Sequence, residues 1–447
     1  MRRLRLMFLV LLLPILVGGC AFLLDPGPTP TAELTPSATT IVTPTLTLTP
    51  TATPRPQPAL VTLKLWLPEE LDPYGERPGA TLIAQRLAQF SQAAPDLQVD
   101  TVVKKAQGRG GLLDFLRAAR DAAPSVLPDV IVLRVEDLKT VAGSGLIEPL
   151  DAALTPEQLS DRLPYATTLG GAQDPNGESA TMGAVFAANA QHAVYDQTAI
   201  QSPPVSWTDV VSPPVSFLFP AAGQAGRVDE ATLIQYLAAG GKLVDTEGAP
   251  ALDEEPLIDV LTFYSDSVGT EAISPTIVTE IDTVEQSWAR FDAGQGDIAA
   301  VDIGLYLQAI TSGETTEASF AAASLPTDEG HPFTIAHGKW AIALVTEDPE
   351  RQAQAVQLLE FLIAPEFIGP WSQTAGYLPG TRSALRQWEI PDAQKVALLN
   401  LMEAAVPPPA PDVLAAIGPP MQEAVESVLS GAATPEQAAR LAVDQLR

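Results

Sequence analysis

The sequence predicts an α/β fold arranged as two lobes. Three observations carry that expectation. From residue 61 onward the apolar pattern alternates between a period of 2 and a period near 3.6, which gives the order β-α-β-α-β. The run Val130-Ile131-Val132-Leu133 is continuously apolar, as a parallel strand buried on both faces requires. Strands and helices then stay mixed to the last residues without an internal repeat, more chain than one such sheet uses.

The first twenty residues read as an address. Arg2, Arg3 and Arg5 form a positive start, and 6–17 is an apolar run broken by Pro14. About twelve apolar residues suit a signal segment, whereas a membrane-spanning helix needs about 20. The run ends Leu16-Val17-Gly18-Gly19-Cys20, which resembles a bacterial lipobox. Small residues let a peptidase reach the backbone, and the thiol accepts a lipid. The expectation is a lipoprotein signal peptide over 1–19 and a lipidated Cys20. Residues 20–60 form a Thr/Pro-rich linker, as in Thr43-Pro44-Thr45-Leu46-Thr47-Leu48-Thr49-Pro50. Proline removes hydrogen-bond donors and favours polyproline II, so this segment is a semi-rigid spacer.

Residues 61–66 alternate as a strand, and 82–94 carry Ile83, Leu87 and Phe90 at helical spacing until Pro95 stops them. A strand over 97–103, a helix marked by Leu112, Leu113, Leu116 and Ala119, and the buried strand at 130–133 complete an open parallel sheet. A short helix follows over 136–142. In the middle of the chain, 180–188 and 215–219 read as strands, and 230–239, 256–267 and 284–292 as helices. Strands at 298–303 and 340–345 precede an amphipathic helix at 349–363. Helices near 392–404 and 420–429, and one starting at Pro435, close the pattern.

Several short segments resemble one family in the right order. They are Pro128-Asp129-Val130 with Gly145-Leu146-Ile147-Glu148-Pro149-Leu150, Pro203-Pro204-Val205-Ser206-Trp207-Thr208-Asp209, and Phe291-Asp292-Ala293-Gly294-Gln295-Gly296-Asp297-Ile298-Ala299. Further on come Gly338-Lys339-Trp340-Ala341-Ile342, Gly376-Tyr377-Leu378-Pro379-Gly380-Thr381-Arg382, and Ser430-Gly431 with Thr434-Pro435-Glu436-Gln437-Ala438. Together they resemble the bacterial extracellular solute-binding proteins of ABC importers, in the sugar-binding, maltose-binding-protein-like class. The stretch Val194-Tyr195-Asp196 departs from that pattern by lacking the asparagine many members place after tyrosine.

The resemblance implies a two-lobed periplasmic-binding-protein-like fold of type II, each lobe an open, mostly parallel sheet flanked by helices, with hinge strands between the lobes. It implies lobe one over 61–170 with 340–390 and lobe two over 171–339 with 391–447. It further implies a monomer that binds a small-molecule solute, a sugar in the first instance, and passes it to the transmembrane subunits of an ABC permease. The membrane is met through the N-terminal lipid alone. A second reading keeps the fold and makes the chain a sensory or structural surface lipoprotein that binds a partner protein or a wall polymer.

Composition narrows the alternatives. The 25 Lys+Arg stand against 54 Asp+Glu, so the basic footprint of a nucleic-acid binder is missing. One cysteine forbids an intrachain disulfide and a multi-cysteine metal site. His192, His331 and His337 read as surface or loop histidines, and the last two lack the i,i+4 spacing of a zinc helix. Asp174-Pro175-Asn176-Gly177-Glu178 begins like a calcium loop, but Val185 stands where the twelfth-position carboxylate belongs. No Gly-x-Ser-x-Gly elbow or phosphate loop appears, so neither an enzyme nor a cofactor or metal is expected. A surface glycoside hydrolase is the weakest of the three readings.

Binding is better supported. Flat aromatic rings suit the CH-rich faces of sugars, and a few polar groups read the hydroxyls. Trp66 ends the first strand, where ligands gather in open α/β sheets, and Glu69 follows as a hydroxyl acceptor with Glu70 and Asp72. Glu136 and Asp137 follow the buried strand. Tyr306 follows the 298–303 strand, where the resemblance places a stacking aromatic. Trp340 lies on the implied crossover, and Trp371 and Tyr377 flank the next one. Core packing is the competing reading for each ring. Trp207 and Trp288 read as structural.

Overall fold

The structure is a computed structural model that describes residues 60–311 and 320–447. The signal segment, Cys20 and the linker through residue 59 lie outside the described residues.

The chain opens with β1 (Val61–Pro68), a 3-10 turn at Glu69–Leu71, α1 (Ala80–Ala93), β2 (Leu97–Lys104), α2 (Leu112–Ala122), β3 (Val130–Arg134) and α3 (Val135–Gly143). Side chains alternate across these strands with the period of 2 that a pleated sheet demands. Leu63, Leu65, Leu67, Val130 and Val132 enter one core, and Trp66, Ile131 and Leu133 enter the core on the other face. Short helices α4 (Pro156–Asp161) and α5 (Pro164–Gly170) lead to a small hairpin, β4 (Gly171–Gln173) and β5 (Ser179–Thr181).

The chain then runs through β6 (Ala184–Asp196), α6 (Trp207–Val211), β7 (Phe217–Leu218), α7 (Glu230–Ala238), α8 (Glu254–Gly269), α9 (Pro275–Val278), α10 (Val284–Asp292), β8 (Ile298–Asp302), α11 (Ile303–Thr311) and β9 (Phe320–Ala323). It returns through β10 (Thr334–Leu344), α12 (Pro349–Ile363), α13 (Pro365–Ala375), α14 (Arg382–Arg386), α15 (Asp392–Glu403), β11 (Ala405–Val406), α16 (Pro411–Leu429) and α17 (Pro435–Asp444).

The principal sheet has the order β2-β1-β3-β10-β6-β8-β7, with β11 beside β10 and β9 beside β6. Parallel ladders lie at both ends, β2-β1-β3 and β8-β7. Two long antiparallel strands, β6 and β10, join them. A further crossing follows α13, where Ala188 and Leu378 exchange backbone hydrogen bonds of 2.9 and 2.8 Å. The sheet is therefore shared between two lobes. The first lobe's cores pack α1, α12 and α13 on one face of β1 and β3 and α2 and α3 on the other. In the second, Ile298 and Ala300 of β8 face α7, α8, α16 and α17, while Ala299 and Val301 face α10, α11 and α15.

The pattern at 180–188 resolves into two strands, because Met182-Gly183 breaks β5 from β6. A Cβ on Gly183 would meet Leu138 Cδ1 at 2.9 Å, so any other residue there would push the buried Leu138 side chain aside. β6 then continues to Asp196 through an alanine-rich stretch of poor strand propensity, because burial between two neighbouring strands overrides local preference. The last long helix starts at Pro411, not 420. Pro419 and Pro420 sit inside it, and the buried Ile417, Met421, Ala424 and Val425 hold it together.

Candidate functional site

Ligands in open α/β sheets collect at the C-terminal ends of parallel strands. Here those ends belong to β1 and β3 in the first lobe and β8 in the second, and the crossover strands lie between them.

The first-lobe wall is charged. Arg134 ends β3, and Glu136 and Asp137 open α3. The Arg134 guanidinium grips Asp137 with two hydrogen bonds of 3.0 and 3.2 Å, and its remaining nitrogen meets Gln107 and Glu136. Burial opposes its charge, but Asp137, Glu136 and Glu70 outweigh that and hold its pKa above the ordinary arginine value. Glu69 is exposed on the turn after β1, and Glu70 Oε2 is buried without a hydrogen-bond partner among the described residues.

The floor is polar and comes from the crossover strands. His337 of β10 stands directly opposite Asn189 of β6, so both side chains leave the same face. Gln191, two residues on, shares that face and pairs in register with Asp302 of β8. The Asn189 amide donates to Asp302 Oδ2 at 3.0 Å, while Asp302 Oδ1 accepts the Leu305 N–H at 2.8 Å and caps α11. Gln191 Nε2 lies 3.5 Å from Asp229 Oδ2, and Asp229 caps α7 by accepting the Ala231 N–H at 2.8 Å. Burial pushes the Asp229 carboxyl up to about 7, and the neighbouring Glu230 charge adds to that shift. Glu230 reaches His337 Nε2. Burial works against the imidazolium, yet the Glu230 hydrogen bond and charge raise the His337 pKa above its ordinary value.

Beside this floor lies a groove of about 630 Å³. Asn189, Asp302, Gly304 and Leu305 line one side, and Gln373 of α13 with Gly376 and Tyr377 just after it line the other. The walls come close at its end, where a Cβ on Gly304 would lie 3.3 Å from the Gly376 carbonyl oxygen.

Of the residues singled out in the sequence, the structure brings Tyr377 to the groove and Glu69, Glu136 and Asp137 to the first-lobe strand ends. Trp66, Trp340, Trp371 and Tyr306 are 4, 0, 1 and 0 % exposed and present no open ring face. Each has a packing role. Trp66 lies beneath Lys104 Nζ, 4.6 Å above its ring. Trp340 pairs in register with Arg134 and fills the core under α12. Trp371 lies between Phe186 and Tyr377, at centroid distances of 5.4 and 5.9 Å. Tyr306 donates its hydroxyl to Gln394 and packs edge-on against His192.

The histidines correct the sequence reading. His192 is buried on β6 with its pKa lowered to about 4, and His337 is on β10; only His331 is exposed in a loop. Alternating burial on long crossover strands puts them there. Arg134, Asn189, Gln191, Asp229, Glu230 and Asp302 were not singled out. An aspartate directly before a helix is an N-cap signal that could have found Asp229, but no local signal links it to a strand 38 residues earlier. Among the described residues no cluster of three or more metal-ligating side chains occurs, and no helix is long and apolar enough to cross a membrane.

Residues 85–398 match the profile of a family described as bacterial extracellular solute-binding protein. No curated protein matches the chain in sequence. Among solved structures, the fold is similar to a family 1 extracellular solute-binding protein from Alicyclobacillus acidocaldarius (TM-score 0.65, 17% identity, covering 87% of this chain and 98% of that one). It is similar to the sugar-binding protein MalE from Xanthomonas citri (TM-score 0.61, 18% identity, 86% and 97% covered). It is also similar to the cyclic alpha-maltosyl-1,6-maltose binding protein from Arthrobacter globiformis (TM-score 0.60, 18% identity, 86% and 98% covered). At these identities the likeness establishes the fold.

Proposed function

This chain belongs to the bacterial extracellular solute-binding proteins, and from that premise we propose that it is a lipid-anchored receptor that delivers a small carbohydrate to an ABC importer. The family makes it an extracytoplasmic binding protein, not an enzyme. The observation that carries the proposal is the groove beside the crossover strands, with one wall from Asn189 of β6, Asp302 of β8 and α11 and the other from Pro78 and the end of α13, which packs in the first lobe. Closure is a hinge motion about those crossings, between 61–170 with 340–390 and 171–339 with 391–447. Ligand contacts from both walls stabilise the closed form. A carbohydrate is favoured because the Arthrobacter globiformis and Xanthomonas citri proteins of similar fold bind sugars. The floor of amide, carboxylate and imidazole groups supplies the donors and acceptors that hydroxyls need. The permease subunits are the expected partner of a monomeric receptor. Anchoring rests on Cys20 within Leu16-Val17-Gly18-Gly19-Cys20.

A second reading has support in one observation. Burial of Trp66, Trp340, Trp371 and Tyr306 removes the stacking platforms of an oligosaccharide site, which favours a sensory or structural lipoprotein that binds a partner protein or wall polymer.

Thermal unfolding separates the two. A mono- or oligosaccharide present at 100 times its Kd stabilises the receptor by about 2.7 kcal/mol. No shift with any member of a broad saccharide panel would overturn the receptor reading.

A further inference from the structure

His337 and Glu230 form a pair whose engaged atoms face each other and whose other atoms are unused. Glu230 Oε2 meets His337 Nε2. Among the described residues, Glu230 Oε1 and His337 Nδ1 make no hydrogen bond. The side chains remain 19 and 44 % exposed, respectively, so both atoms belong to groups open to solvent. The pair is not a free surface feature. Glu230 is the first residue of α7, fixed by the Asp229 cap, and His337 is fixed by the β6–β10 ladder opposite Asn189. Asn189 lines the groove, and directly opposed antiparallel residues project to the same side, so His337 flanks the groove floor.

We propose that the Glu230–His337 pair is the polar anchor of the solute: Glu230 Oε1 accepts a hydrogen bond from one hydroxyl, and protonated His337 donates from Nδ1 to its neighbour. The ligand class is a polyol with adjacent hydroxyls. This rests on the receptor reading above and adds the residues that would do the recognising.

The chemistry requires the imidazolium. Neutral imidazole carries one N–H, and a hydrogen bond to the Glu230 carboxylate uses it at Nε2. Nδ1 then becomes an acceptor, and the second hydroxyl exchanges a charge-assisted hydrogen bond from the imidazolium for a weaker neutral one. Binding therefore weakens as pH rises past the His337 pKa. The charged groups around the pair are named by element. On α7 they are Glu230 itself and Asp229; on β10, Lys339 is two residues along. On β8, Asp302 is held by Asn189 of β6, and on α8, Tyr264 feels the Asp229 charge. β6 contributes Asn189 and Gln191 to this face, which do not titrate. Glu230 is the group that dominates His337, in agreement with the raised pKa.

The test is calorimetric titration of the full chain at pH 6 and pH 9 with glucose, maltose, maltotriose, cellobiose, xylobiose and myo-inositol. His337→Gln and Glu230→Gln are titrated alongside, their folding checked by thermal melting. The proposal expects a sugar whose affinity falls at least tenfold between pH 6 and pH 9. It expects His337→Gln to be at least tenfold weaker at pH 6 and flat with pH, and Glu230→Gln to be weakened as well. A sugar that binds equally at both pH values, or binds His337→Gln as well as wild type, overturns the anchor and leaves the receptor reading standing. No binding by any of the six at either pH overturns the anchor together with the carbohydrate reading.

Discussion

Asn189 donates its side-chain amide to Asp302 at 3.0 Å, and that bond ties the first crossover strand to the end of the strand leading into α11. Asp302 thus has two duties, because its other oxygen caps the helix through the Leu305 N–H. A residue at the hinge, one at a strand end and a helix terminus form one unit beside the groove. Removing Asp302 should be felt in both places. Asp302→Ala is expected to cost about 2 kcal/mol, a cap and a side-chain hydrogen bond together. Urea unfolding measures it, and a loss within error of zero would show that the unit is not cooperative.

The acid–base chemistry of the floor gives a signed prediction. Asp229 has a folded pKa of about 7 against an ordinary 3.8. The unfolded chain releases this proton first, so between about pH 4 and pH 7 the folded state holds more protons and stability falls as pH rises. His337 acts in the same direction at higher pH. Its raised folded pKa gives stability that is complete below the ordinary 6.5 and is lost as pH climbs through the folded value. Asp229→Asn should therefore flatten the decline from pH 4 to 7, gaining on wild type as pH rises. Denaturant midpoints at pH 4.5, 6 and 8 check this, and identical slopes in the two proteins would contradict it.

Tyr306 separates packing from ligand contact. It is fully buried and bonded to Gln394. Tyr306→Phe removes the hydrogen bond and keeps the ring, so it should cost about 1 kcal/mol of stability. Tyr306→Ala leaves a cavity and should cost about 4 kcal/mol. Neither cost depends on solute. If Tyr306→Phe left stability intact and abolished solute binding, the hydroxyl would be a ligand contact after all.

How far the sequence led can be read from single residues. Val130 to Leu133 were recognisable because a strand buried on both faces has no polar position to confuse the pattern. Helices at Val284–Asp292 and Pro349–Ile363 were recognisable from their apolar spacing, and the structure adds Thr283 and Asp348 as the side-chain caps that fix their starts. The first half of β10 was not, since Thr334-Ile335-Ala336-His337-Gly338-Lys339 has no clean apolar alternation, and its partners lie across the sheet. On the candidate site's first-lobe side, the positions of Glu69, Glu136 and Asp137 at the ends of β1 and β3 were legible. Its floor was not. Glu230 and His337 are 107 residues apart and meet only because two crossover strands and α7 converge. The burial of Trp66, Tyr306, Trp340 and Trp371 was not legible for a related reason. A tryptophan has the same local signature on a core face as on a binding face, and register decides between them.

On the receptor reading, a solute draws the two lobes together about the crossover strands. Small-angle X-ray scattering of the full chain, with and without a saturating saccharide identified by thermal shift, tests that most directly. The radius of gyration should shrink with sugar, and His337→Gln should show no contraction at the same sugar concentration. A wild-type radius of gyration unchanged by a sugar that demonstrably binds would contradict it.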